Sequence, residues 1–127
     1  MVVGIGMDLV EVARIERLVR EKGERVLQRL FTAREVEYAL RRPHPAQHLA
    51  ARFAAKEAAY KALSGDDEVA RAVGWRDVEV VPTADGRPTL AFHGPAARRA
   101  EQLGVRRALV TLTHTDGTAG AMVVLED

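Results

Sequence analysis

Two carboxylates and an amine, Asp8, Glu57 and Lys61, are the side chains whose types could work together on a phosphate substrate. Mg²⁺ usually binds one or two carboxylates and completes its shell with water and substrate phosphates, so Asp8 and Glu57 form a candidate magnesium pair. Lys56 and Lys61 would then meet the phosphates. The absence of cysteine excludes disulfide scaffolds, thiolate zinc sites and cysteine nucleophiles, which leaves oxygen, imidazole and amine chemistry. Each of these residues also has a plainer role open to it. Asp8 could cap the helix that follows it. Glu57 and Lys61 stand at i and i+4, the favoured order for an exposed helical ion pair worth about 0.2–0.5 kcal/mol. His114 could be structural, bind phosphate or act in proton transfer, whereas His44, His48 and His93 show no metal-ligand spacing. The glycines of Gly4-Ile5-Gly6 lack the third glycine of a dinucleotide fingerprint, Leu9 standing in its place, and no P-loop, zinc-protease or nucleophile-elbow motif occurs.

The elements that must position these groups follow from periodicity. Val2–Met7 is a short β-branched run that predicts a buried strand with Asp8 at its exit. From Leu9 the period becomes helical, with Val12, Ile15, Leu18 and Val19 on one stripe and Arg14, Arg17 and Arg20 on other faces. Gly23 ends this helix, and residues 24–30 make a second. Thr32 and Glu35 have the spacing of a capping box that opens a third, which Pro43 and Pro45 stop.

Residues 47–63 combine seven alanines with strong helix formers and no internal Gly or Pro, the firmest helix of the chain. With Phe53, Tyr60 and Leu63 also present it should be largely buried, and ionised groups on a buried helix need partners or a purpose. A loop at 64–68 follows. Residues 78–81 and 89–92 suggest a hairpin turning near Asp85-Gly86, residues 95–103 a helix closed by Gly104, and residues 107–115 and 118–125 a second hairpin around Asp116-Gly117. On that strand Ala108, Val110, Leu112 and His114 share one face. Helices first and hairpins later predict an α+β domain with an antiparallel sheet.

Composition agrees with one domain spanning residues 1–127: the chain is 47% hydrophobic and 29% charged. No apolar run approaches a membrane span, and no signal-peptide pattern opens the sequence, so a cytoplasmic location is expected. Net charge is only +1, but it is polarised. Residues 1–63 carry 12 Lys+Arg against 8 Asp+Glu, or +4, and residues 64–127 carry 7 against 10, or −3. A basic surface on the first half would suit an anionic partner, although a few solvated arginines give the same count.

Four segments, GIGMDLVEVARI at 4–15, FTARE at 31–35, RFAAKEAAYKAL at 52–63 and THT at 113–115, together resemble the holo-acyl-carrier-protein synthase family in order and spacing over nearly the whole chain. The resemblance implies a 4′-phosphopantetheinyl transferase fold: an antiparallel sheet of two hairpins plus the N-terminal strand around a long central helix, assembled as a homotrimer with active sites between subunits. It implies transfer of phosphopantetheine from coenzyme A to a serine of an acyl-carrier protein, in fatty acid biosynthesis. By position, Asp8 and Glu57 resemble the magnesium ligands and Lys61 the residue facing the departing 3′,5′-ADP. Arg52 and His114 resemble coenzyme A contacts, His114 coming from the neighbouring subunit, and Arg14 and Arg17 lie on the implied carrier-docking helix. The serine proton would pass to Glu57 or to water held by the metal. Ser64-Gly65-Asp66-Asp67 departs from the glycine-rich pattern frequent in the family at this point. A non-enzymatic trimeric module binding an acidic protein through the basic helix is the alternative; it leaves Asp8, Glu57, Lys61 and His114 without a common role.

Overall fold

A computed structural model describes residues 1–127. Strand β1 (Val2–Glu11) leads directly into α1 (Val12–Lys22), followed by α2 (Glu24–Leu30), α3 (Ala33–Leu40) and the long α4 (Pro45–Ala62). A short α5 (Glu68–Arg71) and a 3₁₀ turn at Trp75–Asp77 precede the hairpin β2 (Val78–Pro82) and β3 (Pro88–Phe92). Helix α6 (Gly94–Gln102) and the hairpin β4 (Arg107–His114) and β5 (Thr118–Glu126) complete the chain. No helix is long and apolar enough to cross a membrane.

The strands form two antiparallel sheets, β1-β5-β4 and β2-β3. The single sheet expected from both hairpins and the N-terminal strand is therefore corrected: β3 lies beside β4 without a ladder. Pro82 and Pro88 face each other in the β2-β3 hairpin, and proline, having no N–H to donate, suits such edge positions.

A second correction concerns Asp8. β1 does not end at Met7; it pairs with β5 as far as Glu11 opposite Thr118, so Asp8 sits within the strand, opposite Ala121, and does not cap α1. Its neighbours by alternation are Gly6 and Val10, both buried, which puts Asp8 on the inner face of the sheet. Ile5, Met7 and Leu9 point the other way and, with Leu109 and Met122, leave the outer face apolar and exposed.

Helix α4 lies across that inner face. Its alanines at 50, 51, 54, 55, 58, 59 and 62 are all buried, and they let the backbones approach so closely that a Cβ on Gly6 would fall on the Ala58 carbonyl and one on Gly4 on that of Ala62. The helix begins at Pro45, two residues earlier than its composition suggested, because proline suits a first helical position; His44 before it takes a left-handed conformation (φ 58°). Thr32 and Glu35 form the expected capping box.

Glu35 has a second task. Its carboxylate, buried with Lys56, meets the Lys56 Nζ at 2.7 Å and accepts from the Val80 amide at 2.9 Å, tying α3, α4 and β2 together. Nearby, the buried Glu79 carboxylate accepts hydrogen bonds from the Thr32 hydroxyl and the Arg34 guanidinium and lies 3.0 Å from His93 Nε2. Burial alone would raise its pKa, but these partners outweigh burial and hold it down to about 2, against 4.5 for a free glutamate. Because the folded-state value is the lower one, this clamp contributes fully above pH 4.5 and is lost as pH falls toward 2. Glu79→Gln should therefore cost roughly 1–2 kcal/mol at neutral pH, since its partners are partly solvated. It should also flatten the acid limb of a denaturation profile; an acid limb as steep as that of the parent protein would contradict the clamp.

Candidate active site

On the inner face, Asp8 from β1 meets the last turns of α4. Lys61 Nζ donates to Asp8 Oδ1 at 3.2 Å and to the Met7 carbonyl at 2.9 Å. Two of its three N–H donors are thus committed, and the side chain is half exposed. The Glu57–Lys61 ion pair that their spacing allowed is not formed, because Lys61 turns to Asp8 instead.

The Glu57 carboxylate consequently has no hydrogen bond or ion pair, although the residue is partly buried. Burial raises its pKa, the facing Asp8 carboxylate raises it further, and Lys61 and Arg14 act in the opposite direction. Two carboxylates that repel one another beside a half-solvated lysine are what a hard cation would relieve. No three-residue ligand cluster is present. That donor set fits Mg²⁺, which needs few protein ligands when substrate phosphates share the ion, and does not fit a closed structural metal.

Arg14 projects from α1 toward the same place, its guanidinium 5.6 Å from the centre of the Phe53 ring one turn before Glu57. Arg17, a turn further along α1, is exposed and has no ionic partner. Val12 and Ile15 anchor the opposite face of α1 in the core, which leaves both arginines outward.

Lys56 is not brought to this site, and its expected phosphate contact is corrected. It is 1% exposed, and Glu35 together with the carbonyls of Trp75 (3.0 Å) and Val78 (2.6 Å) uses all three donors. One residue's difference along α4 turns Lys56 into the core and Glu57 out of it.

Arg52 and His114 lie elsewhere, in a basin of about 620 Å³ between α4 and the β4 edge that Tyr38, His48 and Arg87 also line. Neither Asp8, Glu57 nor Lys61 borders it. Arg52 is buried, its guanidinium 3.9 Å from the centre of the Tyr38 ring, and Arg42 lies over the same ring at 3.3 Å. One Arg52 N–H bonds the His48 carbonyl, whereas Nε is buried without a partner. The His48 ring is 6.4 Å from that of His114, and its pKa is pushed down by burial and then by Arg52, Arg42, His114 and His44. A concentration of cations with an unpaired buried donor is suited to an anion. Nothing local in the sequence marks Tyr38 or Arg42 as neighbours of Arg52, whereas His48 and Arg52 at i and i+4 share one face of α4.

The Ser64–Asp67 loop is fastened to α6: Arg99 donates to the carbonyls of Leu63 and Ser64, both at 2.9 Å, and Asp67 caps α5.

Residues 4–116 match the model of the 4′-phosphopantetheinyl transferase superfamily. A protein from Koribacter versatilis called holo-(acyl-carrier-protein) synthase is 44% identical over 127 residues, covering 100% of both chains. One of the same name from Anaeromyxobacter sp. strain K is 46% identical over 129 residues, covering 99% of this chain and 97% of its own. Among solved structures, the holo-(acyl-carrier-protein) synthase of Neisseria meningitidis superposes with a TM-score of 0.86 at 30% identity over 100% of both chains. That of Bacillus anthracis, in complex with CoA (3′,5′-ADP), gives 0.77 at 29% identity, covering 98% of this chain and 96% of the other.

Proposed function

The chain belongs to the 4′-phosphopantetheinyl transferase superfamily, and from that premise we propose that it transfers phosphopantetheine from coenzyme A to a serine of an acyl-carrier protein with the help of Mg²⁺. The single observation that carries the assignment of the centre is the unpartnered Glu57 carboxylate beside Asp8, with the half-exposed Lys61 bound to Asp8. A passive binding module has no use for two repelling carboxylates at a half-buried position.

In the reaction the serine oxygen forms a bond to the β-phosphorus of coenzyme A, the bond from that phosphorus to 3′,5′-ADP breaks, and the serine proton passes to the Glu57 carboxylate or to water. Asp8 and Glu57 would hold Mg²⁺, which when bound supplies charge neutralisation on the pyrophosphate. Lys61, with one free donor and a half-exposed amine, is suited to follow the charge onto the departing 3′,5′-ADP. Arg52 and His114, with the unpaired Arg52 Nε, suit the remaining phosphate of the nucleotide.

These two groups of residues border different hollows of one chain, and the exposed apolar face of Ile5, Met7, Leu9, Leu109 and Met122 is of the kind that copies of a protein bury against each other. Both features support a homotrimer in which the basin of one copy completes the carboxylate site of the next. Incubation with coenzyme A, Mg²⁺ and an apo carrier protein should add a phosphopantetheine-sized mass to the carrier. Coenzyme A breakdown without labelling, or binding without modification, would contradict the transferase reading.

Arg14 and Arg17 are the proposed docking groups for the acidic carrier. Arg17→Glu, remote from Glu57, and Arg14→Glu should each raise KM for the carrier roughly tenfold while KM for coenzyme A changes little. The reverse pattern would refute a docking role.

A further inference from the structure

Lys56 stands one residue before Glu57 on α4 and is as firmly held as Glu57 is free. Its three N–H donors go to three different elements: to the Glu35 carboxylate on α3 at 2.7 Å, to the Trp75 carbonyl in the 3₁₀ turn at 3.0 Å and to the Val78 carbonyl in β2 at 2.6 Å. Glu35 is fixed in turn by the amides of Thr32 and Val80, both at 2.9 Å. Stability alone does not call for such an arrangement, because apolar residues of similar volume often replace a buried ion pair without loss.

What the pair can do that apolar residues cannot is fix a direction. Helix α4 packs on β1 and β5 chiefly through alanine methyl groups, and Gly4 and Gly6 bring the backbones closer without adding side chains that interlock. Contact over so smooth a surface sets the distance between helix and sheet better than it sets the rotation of the helix about its own axis. Directional bonds from one buried ammonium to two carbonyls outside the helix do set that rotation. Glu57 depends on it, since its carboxylate has no partner and is placed by the backbone alone. An α-helix with its side chains is about 6 Å in radius, so a turn of about 10° about the axis carries a carboxylate about 1 Å.

We propose that Lys56 is a positioning residue: braced by Glu35 and tied to the Trp75 and Val78 carbonyls, it sets the rotation of α4 and thereby holds the unpartnered Glu57 carboxylate where it can share a cation with Asp8. The inference rests on the transferase reading and adds to the proposed centre a residue that touches neither substrate nor metal. A misplacement of about 1 Å can lower a rate by about a hundredfold.

Lys56→Met keeps the length of the side chain and removes its donors, but it strands the Glu35 carboxylate in the core and so can unfold the chain. Glu35→Gln combined with Lys56→Met removes both charges and is the deciding variant. Measured where it is folded, it should have kcat lower by about ten- to a hundredfold, KM for the carrier within about twofold of the parent value, and calorimetric affinity for Mg²⁺ without substrate lower by about tenfold. Glu79→Gln is the control. It loosens a neighbouring clamp on the same strand while Lys56 keeps all three partners, so its melting temperature should fall with kcat and Mg²⁺ affinity within about twofold of the parent protein. Parent-like kcat in the folded double variant overturns the proposal, since the pair would then serve the fold alone. So does an equal loss of kcat in Glu79→Gln, which would mean that any loosening of β2 suffices, or a fall in kcat with Mg²⁺ affinity unchanged, which would mean that the effect does not pass through the carboxylates. If the parent protein transfers no phosphopantetheine, the transferase reading itself falls, and the Mg²⁺ comparison still decides whether Lys56 positions Glu57.

Discussion

Alanine at Asp8 or at Glu57 should lower turnover by at least about a thousandfold, since a bound cation contributes several kcal/mol to a phosphoryl-transfer barrier. Stability should change little. Glu57 has no partner to lose, and in Glu57→Ala the Asp8–Lys61 contact at 3.2 Å persists without a repelling neighbour. In Asp8→Ala, Lys61 keeps its bond to the Met7 carbonyl. The loss should therefore appear in kcat and in calorimetric Mg²⁺ binding, with the melting temperature and oligomeric state unchanged. Full activity in either variant would end the case for a metal held by these two carboxylates.

The second large effect is expected from a residue with no chemistry. Gly6→Ala places a methyl group on the Ala58 carbonyl, on the stretch of backbone where α4 crosses β1. Neither partner can step aside as a side chain can, because Gly6 is held in register with Val123 and Ala58 is in the middle of a buried helix. Overpacking of a core costs about 1–3 kcal/mol where side chains can adjust, so a clash between backbones should cost about 3 kcal/mol or more. The variant should be partly or wholly unfolded at ambient temperature, or fold with α4 displaced from β1. Because Asp8 is two residues along the same face, a folded remnant should also have weakened Mg²⁺ binding. Parent-like stability measured by urea denaturation would contradict the close approach of α4 to β1.

Gly4 and Gly6 illustrate how unevenly a sequence declares its structure. Their spacing lacks the third glycine of a nucleotide loop; their actual use, admitting a helix against a strand, depends on Ala58 and Ala62 more than fifty residues later. The α4 helix itself was plain from its alanines, and the capping box from Thr32 and Glu35, because both are local matters of propensity and backbone hydrogen bonding. Helical spacing that begins at Leu9 puts Asp8 at a strand end, but pairing with β5 as far as Glu11 overrides that local tendency. Lys56 and Lys61 look alike in sequence; what separates them is which side of α4 meets Glu35 and which meets Asp8. The Arg52–His48–His114 basin joins a helix to a strand far along the chain, so only His48 and Arg52, four residues apart, left a local trace of it.

Whether one reaction centre is built from two copies is decided most directly by mixing lesions. Glu57→Ala and His114→Ala proteins, each inactive or nearly so, are co-expressed, and the mixed assemblies are given coenzyme A, Mg²⁺ and apo carrier protein, with transfer read from the mass of the carrier. If Glu57 of one copy works with His114 of its neighbour, about a quarter of the sites in a random mixture contain neither lesion, and transfer returns to a comparable fraction of the parent rate. If both residues serve a centre within one chain, every site keeps a lesion and the mixture stays as inactive as its components.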